Sequence, residues 1–403
     1  IGQNPSGSDI ANGYSDYLIA DQLRGRYGYD GVVCTDWGIT SDETAVDSFS
    51  GKPWGAETWT VAQRHYRILM AGVDQFGGNN DKGPVLEAYQ MGVEEQGENK
   101  MRERFETSAV RLLLNIFRCG LFENPYLDPA ESQAIVGKAE FMQEAYDAQL
   151  KSIVMIKNKA ATLPMDKSKK VYIPKRYYPS VISFFGTPTQ DYTEYPVNLE
   201  MVKKYYTVVD TPEEADFAMV FILSPNSGTG YSKADRERGG NGYLPISLQY
   251  NDYTATYARN PSLAGGDPYE SFTNRSYKGK KIKTANRTDM QSILETKAKM
   301  KGKPVVVSLT MDNPTIVSEF EGSADDILVN FGVQNQAVMD IVSGKEEPSA
   351  LLPLQMPIDM KTVEEQFEDV PRDMKCYVDG EGNMYDFAFG LNWSGVIKDE
   401  RVN

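Results

Sequence analysis

A single histidine, His65, serves the whole chain, and its cysteines number only three: Cys34, Cys119 and Cys376. A Ser-His-Asp triad, a Cys-His pair or a multi-histidine metal site would have to be built on that one imidazole. The cysteines are odd in number and far apart, and two of them fall in a strand and at a helix end. They read as buried free thiols rather than a disulfide framework. Basic excess is also missing. The net charge of -15, with no basic patch evident, makes a nucleic-acid partner an unfavoured expectation. No apolar stretch reaches the length of a membrane span. The chain starts at Ile1 without a signal-like segment, so an export signal is expected to have been removed or to lie outside this sequence.

What remains is an ordinary globular composition, 40% hydrophobic and 25% charged over 403 residues, enough for two or three domains. The first 126 residues alternate helix and strand signals. Helical spacing covers 17–28, 60–72 and 101–120, with Gly28 and Gly72 as stops, and "GVVCTD" and "VDQF" are short strands. In the third helix Phe105, Ala109, Val110, Leu113, Leu114 and Phe117 share one face. This is the grammar of a parallel α/β structure, yet two parallel strands cannot form a stable sheet alone. The other strands are expected from a preceding part of a longer chain or from a partner.

A new unit begins near residue 140. "AYDAQLKSIVMIKN" reads as a helix ending at Asn158, and strand runs follow at 170–174, 216–223, 303–310 and 325–331. Continuous apolar strands of this kind are buried on both faces, as in a doubly wound sheet. "LLPLQMP" (351–357) reads as a core strand. Between 224 and 287 the chain is rich in Gly, Asn, Tyr, Ser and Pro, and its tyrosines and "GGNGY" turn point to an ordered loop, one that either frames a subsite or simply packs on its neighbours.

Chemistry gathers at "GYDGVVCTDWG" (28–38), where an apolar strand ends in Asp36, Trp37 and Gly38. Reactive groups in parallel α/β folds sit past the carboxyl ends of strands. A carboxylate there can be a nucleophile, a metal ligand or a helix N-cap. The indole offers a flat apolar face on which a pyranose ring stacks.

The segment "LRGRYGYDGVVCTDWG" resembles the nucleophile segment of glycoside hydrolase family 3, with Tyr29, Cys34 and Thr35 as mild departures. "AGVDQF", "GLFENPY", "SIVMIKNKAATLP", "KPVVVSLTMDNP", "PSALLPLQMP" and "YDFAFGLNW" match further family signatures in order. The resemblance implies an α/β fold: the C-terminal portion of a (β/α)8-type barrel over 1–126, a linker and first helix over 127–165, and an α/β sandwich over 166–403. It places a sugar site where barrel and sandwich meet, and it implies that the N-terminal barrel strands are absent from this chain and belong to the same precursor. The implied activity is a retaining exo-β-glycosidase, a β-glucosidase or β-xylosidase. It would release terminal glucose or xylose from oligosaccharides through a covalent glycosyl-aspartate. Asp36 would be the nucleophile, held ionised by nearby donors or cations.

The family's acid/base glutamate falls where this chain has Thr229, within "SGTGYSKADRERGGNGYLP" (227–245). Glu237 is the replacement favoured here, with Asp235 as runner-up, and Trp37, Arg236 and Tyr231 are the expected substrate contacts. The competing reading of "KADRER" is a solvated charge cluster. No cofactor or metal is implied, and His65 is expected to be an ordinary helix residue. By family habit the enzyme is periplasmic or extracellular. The alternatives are a non-catalytic sugar-binding relative and a transglycosylating or phosphorolytic one.

Overall fold

The computed structural model describes residues 10–42, 53–181, 188–263, 270, 272–367 and 370–402. The chain divides into two compact units. One comprises Ile1–Val136 with Leu263–Arg275, and the other Gly137–Ser262 with Ser276–Asn403.

In the first unit, a π-helix, here α1 (Tyr17–Arg26), leads to strand β1 (Cys34–Trp37), helix α2 (Val61–Ala71) to strand β2 (Gln75–Gly77), and helices α3 (Gly83–Gln96) and α4 (Glu98–Arg118) follow. The boundaries of α2 are written in the chain: Thr60 and Gln63 form a reciprocal capping box, and Gly72 closes the helix with φ +106°. The strands β1 and β2 pair in parallel and form a sheet of their own. A small core of Tyr14, Ile19, Ile39, Ile68 and Val73 packs beside them.

Helix α4 departs from expectation. Its buried residues are Met101 and Ser108, while Val110 and Phe117 are each 57% exposed. The polar side, Arg104, Ser108 and Arg111, turns inward because it meets the carboxylate of Asp74. The cysteines also differ from the reading as buried thiols. All are free, but Cys34 and Cys119 are exposed and only Cys376 is buried.

The second unit holds an eight-stranded sheet. Its parallel part comprises β4 (Lys170–Tyr172), β7 (Thr207–Val209), β8 (Phe217–Leu223), β11 (Val305–Thr310) and β12 (Asp326–Asn330). Antiparallel β3 (Val154–Asn158), β13 (Leu391–Asn392) and β14 (Gly395–Val396) extend it on one side. Short pairs β5 (Arg176–Tyr178) with β6 (Tyr192–Glu194), and β9 (Tyr253–Thr254) with β10 (Lys281–Ile282), lie outside it.

Alternation along β8 builds two cores. Ala218, Val220 and Ile222 face one side, under the helix Arg287–Met300, whereas Phe217, Met219 and Phe221 face the other, under the helix Asn335–Val342. This is an α/β sandwich.

The run expected as a helix to Asn158 divides in two. The helix is Ala139–Leu150, and Val154–Asn158 is strand β3. Its Ile-Val-Met-Ile sequence favours a strand buried on both faces, and Met155 joins one core while Val154 and Ile156 join the other. Residues 351–357 form no ladder strand, although Leu352 and Met356 are buried and hydrogen bond to 385–389. The Tyr-rich loop is ordered where described, with Tyr250 fully buried, while 264–269 and 271 lie outside the described residues.

Candidate functional site

Asp36 is the penultimate residue of β1, exposed to solvent, and its Oδ1 accepts the Trp37 amide at 2.7 Å. That is its one hydrogen-bond donor among the described residues, and no cation there pairs with it. The expected ring of donors or cations is therefore not built from this chain's described residues. Thr35, one residue earlier, points inward. Its hydroxyl accepts the Gly77 amide at 2.9 Å, and Gly38 donates to the Gly77 carbonyl at 3.0 Å. These bonds tie the carboxyl end of β1 to that of β2.

The Trp37 indole is 62% exposed, yet its other face is held by backbone. A side-chain carbon on Gly78 would sit 2.6 Å from the indole Cδ1, and one on Gly77 would sit 2.5 Å from the Thr35 carbonyl oxygen. Two consecutive glycines thus form a floor on which the ring rests, and Gly78 also takes φ +70°, which a side chain resists. The result is a carboxylate beside a supported aromatic platform.

Behind this end the strand is clamped by residues whose role the sequence reading did not find. Asp74 has no exposed side-chain surface. Its Oδ2 accepts Arg24 at 2.6 Å and the Val33 amide at 3.1 Å, while Oδ1 accepts the Ser108 hydroxyl at 2.6 Å and Arg111 at 3.1 Å. Burial alone pushes its carboxyl up, but the Ser108, Val33, Arg111 and Arg24 contacts hold it below the usual range. Arg64, 1% exposed, bonds the carbonyls of Thr40, Ala56 and Glu57 and so fixes the chain after β1 to α2. The signal was legible: an aspartate just ahead of a short strand, and arginines on the inner face of a helix, each demand a partner.

His65 is a packing residue as expected. Its Nδ1 contacts the Val61 carbonyl, its Nε2 contacts Asn79, and burial lowers its pKa.

In the second unit, Ser232 caps a short helix, Lys233–Glu237. Asp235 is held at Oδ2 by Lys280 at 2.7 Å and the Gly242 amide at 2.9 Å. The Lys280 hydrogen bond keeps its pKa below the usual carboxylate range. Such a group stays ionised at neutral pH and is ill suited to give a proton. Lys280 also binds the Asn241 side chain and the Tyr243 carbonyl, so Asp235 is a knot of the loop. Glu237, at the helix end, is exposed, as is Thr229. Arg236 is half-buried on the same helix. Tyr231 pairs with Tyr243, ring centroids 5.5 Å apart, and its hydroxyl is buried without a partner among the described residues. Asp36 and Trp37 are thus brought together in one unit, and Tyr231, Asp235, Arg236 and Glu237 in the other. No cluster of metal-ligating side chains occurs among the described residues, and no helix of the described residues is long and apolar enough to cross a membrane.

Residues 153–393 match the glycosyl hydrolase family 3 C-terminal domain. Over 388 residues the chain is 27% identical to a probable β-glucosidase C of Aspergillus flavus, covering 96% of this chain and 49% of that protein. It is 28% identical to a periplasmic β-glucosidase/β-xylosidase of Dickeya chrysanthemi, covering 95% and 49%. A β-glucosidase from Listeria innocua, crystallised with isofagomine, superposes with a TM-score of 0.57 at 18% identity, covering 95% of this chain and 50% of that one. The chain spans about half the length of the curated relatives it matches. On that family match, which spans more than half of its residues, the chain belongs to glycoside hydrolase family 3.

Proposed function

We propose that this chain carries the nucleophile half of a retaining exo-β-glycosidase acting on terminal β-linked glucose or xylose. The observation that supports it most is the exposed Asp36 carboxylate beside a glycine-backed, exposed indole at the carboxyl end of a parallel strand. In such a reaction one carboxylate attacks the anomeric carbon, and a second carboxyl, roughly 5–5.5 Å from the first, protonates the leaving oxygen and then activates water. Asp36 takes the first role. Glu237 takes the second, since Asp235 is committed to Lys280. Trp37 stacks on a sugar ring, with Arg236 and Tyr231 as further contacts.

The two-stranded sheet of the first unit and the half-length coverage of the relatives support a working enzyme in which further barrel strands, from the N-terminal part of the same precursor, complete that sheet. The relatives from Dickeya and Salmonella that are named periplasmic support a periplasmic or extracellular site of action.

The test is Asp36→Asn in the completed enzyme, assayed on aryl β-glycosides. Turnover is expected to vanish, and azide to restore it in Asp36→Gly. Full activity in Asp36→Asn would sink the assignment. Thr229 at the acid's usual place favours one rival, a sugar-binding protein without catalysis. Binding without turnover, even on dinitrophenyl glycosides that need no acid, is its signature.

A further inference from the structure

The parallel strands of the second unit lie in the order β7-β4-β8-β11-β12, so consecutive strands leave β4 in opposite directions across the sheet. The switch falls between β4 and β8. In open α/β sheets, ligands bind outside the carboxyl ends of the strands at such a point. A cavity of about 290 Å³ opens there, between the chain leaving β4 and the helix Arg287–Met300 that follows β8 in sequence.

The helix lines it with Thr288, Gln291, Ser292 and Thr296, residues three, four and eight apart that share one face. The Thr288 hydroxyl is buried without a partner among the described residues, and Thr296 is 3% exposed. Opposite them stand Tyr172 and Tyr177. Both carboxylates of the wall are paired with cations, which leaves one lysine over. Arg176 and Asp289 form a two-bonded ion pair at 2.8 Å, which the Leu223 amide at the end of β8 joins at 3.1 Å, and Lys299 lies 3.5 Å from Glu295. Lys175 is turned onto the Tyr195 ring at 5.3 Å.

We propose that this cavity is a carbohydrate-binding site of the second unit, separate from the residues assigned to hydrolysis. Hydroxyls and a carboxamide both donate and accept, as sugar hydroxyls do, and tyrosine rings supply apolar faces. With both carboxylates paired the wall offers no free anion to a cation. Lys175, turned onto the Tyr195 ring, is the one cation of the wall without a carboxylate among the described residues, so inorganic phosphate is the control that separates a sugar site from an anion site. The volume sits at the lower end for ligand sites and suits one or two sugar rings, such as the end of a β-linked chain. The ligand class agrees with the proposed activity, but the argument stands on this cavity alone.

The test titrates cellobiose, and separately xylobiose and inorganic phosphate, into the full chain carrying Asp36→Asn, followed by backbone amide NMR. A disaccharide is expected to give saturable shifts in 172–177 and 288–299. The triple variant Thr288→Val/Ser292→Ala/Thr296→Val is expected to weaken them at least tenfold, while its other amides stay in place as evidence of folding. Absence of saturable shifts, shifts of equal affinity in the triple variant, or the same shifts from phosphate would each overturn the site. Hydrolysis by the completed wild-type enzyme is a separate readout, so failure of either proposal leaves the other intact.

Discussion

The two units use the same strand-helix grammar but are held together differently. In the second, every central strand is covered on both faces, and side chains of β8 alternate between two large cores. In the first, a pair of strands has one small core, and much of its order comes from guanidinium groups. Arg24, Arg104 and Arg111 converge on Asp74, and Arg64 gathers backbone carbonyls. Apolar burial is non-directional and forgives substitution of similar volume, whereas a buried charge requires each partner in place. The unit that carries the proposed nucleophile therefore positions it with directional contacts, and the sandwich supplies bulk stability.

That contrast can be broken first at Asp74. Asp74→Ala leaves three guanidiniums without their carboxylate and is expected to cost about 3–5 kcal/mol. Hydrogen exchange should show the loss in β1, β2 and α4 while the sheet of the second unit stays protected. Uniform loss across both units would contradict it. For the opposite side of the comparison, Phe217→Ala opens a cavity beside Tyr206, whose ring centroid is 5.1 Å away, and is expected to cost about 3–5 kcal/mol. Urea unfolding monitored by near-UV circular dichroism would measure it.

Asp326 is the exception inside the sandwich. Both its oxygens are buried without partners among the described residues. Burial pushes its carboxyl up to about 8, with Asp325 adding and Lys157 and Lys297 opposing. Its unfolded value is about 3.9. Between those two values the folded protein holds a proton that the unfolded chain has released. Stability therefore falls as pH rises through this window, by up to about 1.4 kcal/mol per pH unit. Asp326→Asn should remove that slope, gaining stability at pH 8 relative to pH 5, and a pH-independent difference from wild type would refute the account. The smallest effect is expected on the outer face of α4, where Val110→Thr should stay within about 0.5 kcal/mol in this chain, because the side chain is already exposed. In an enzyme with a completed barrel the same change should cost more.

Local signals carried much of the fold. Thr60, Gln63 and Gly72 mark both ends of α2, and the β8 and β11 runs are strands as read. The helix expected through Asn158 failed because a short apolar run fits either period, and β-branched residues at 153 and 154 were outweighed by the helical stretch before them. At the candidate site, Asp36 and Trp37 stood out by type and place. Asp235 did not reveal its commitment to Lys280, 45 residues away, since no local pattern joins them.

Sequence alone determined the capped ends of α2, the strand runs of β8 and β11 and the family, because each is written in contiguous residues. Tertiary structure decided which face of α4 turns inward, which carboxylates are tied to a cation, and where hydroxyls of one helix meet the exit of β4. Those outcomes depend on contacts between distant segments, whose desolvation and pairing energies are set only once the chain has folded.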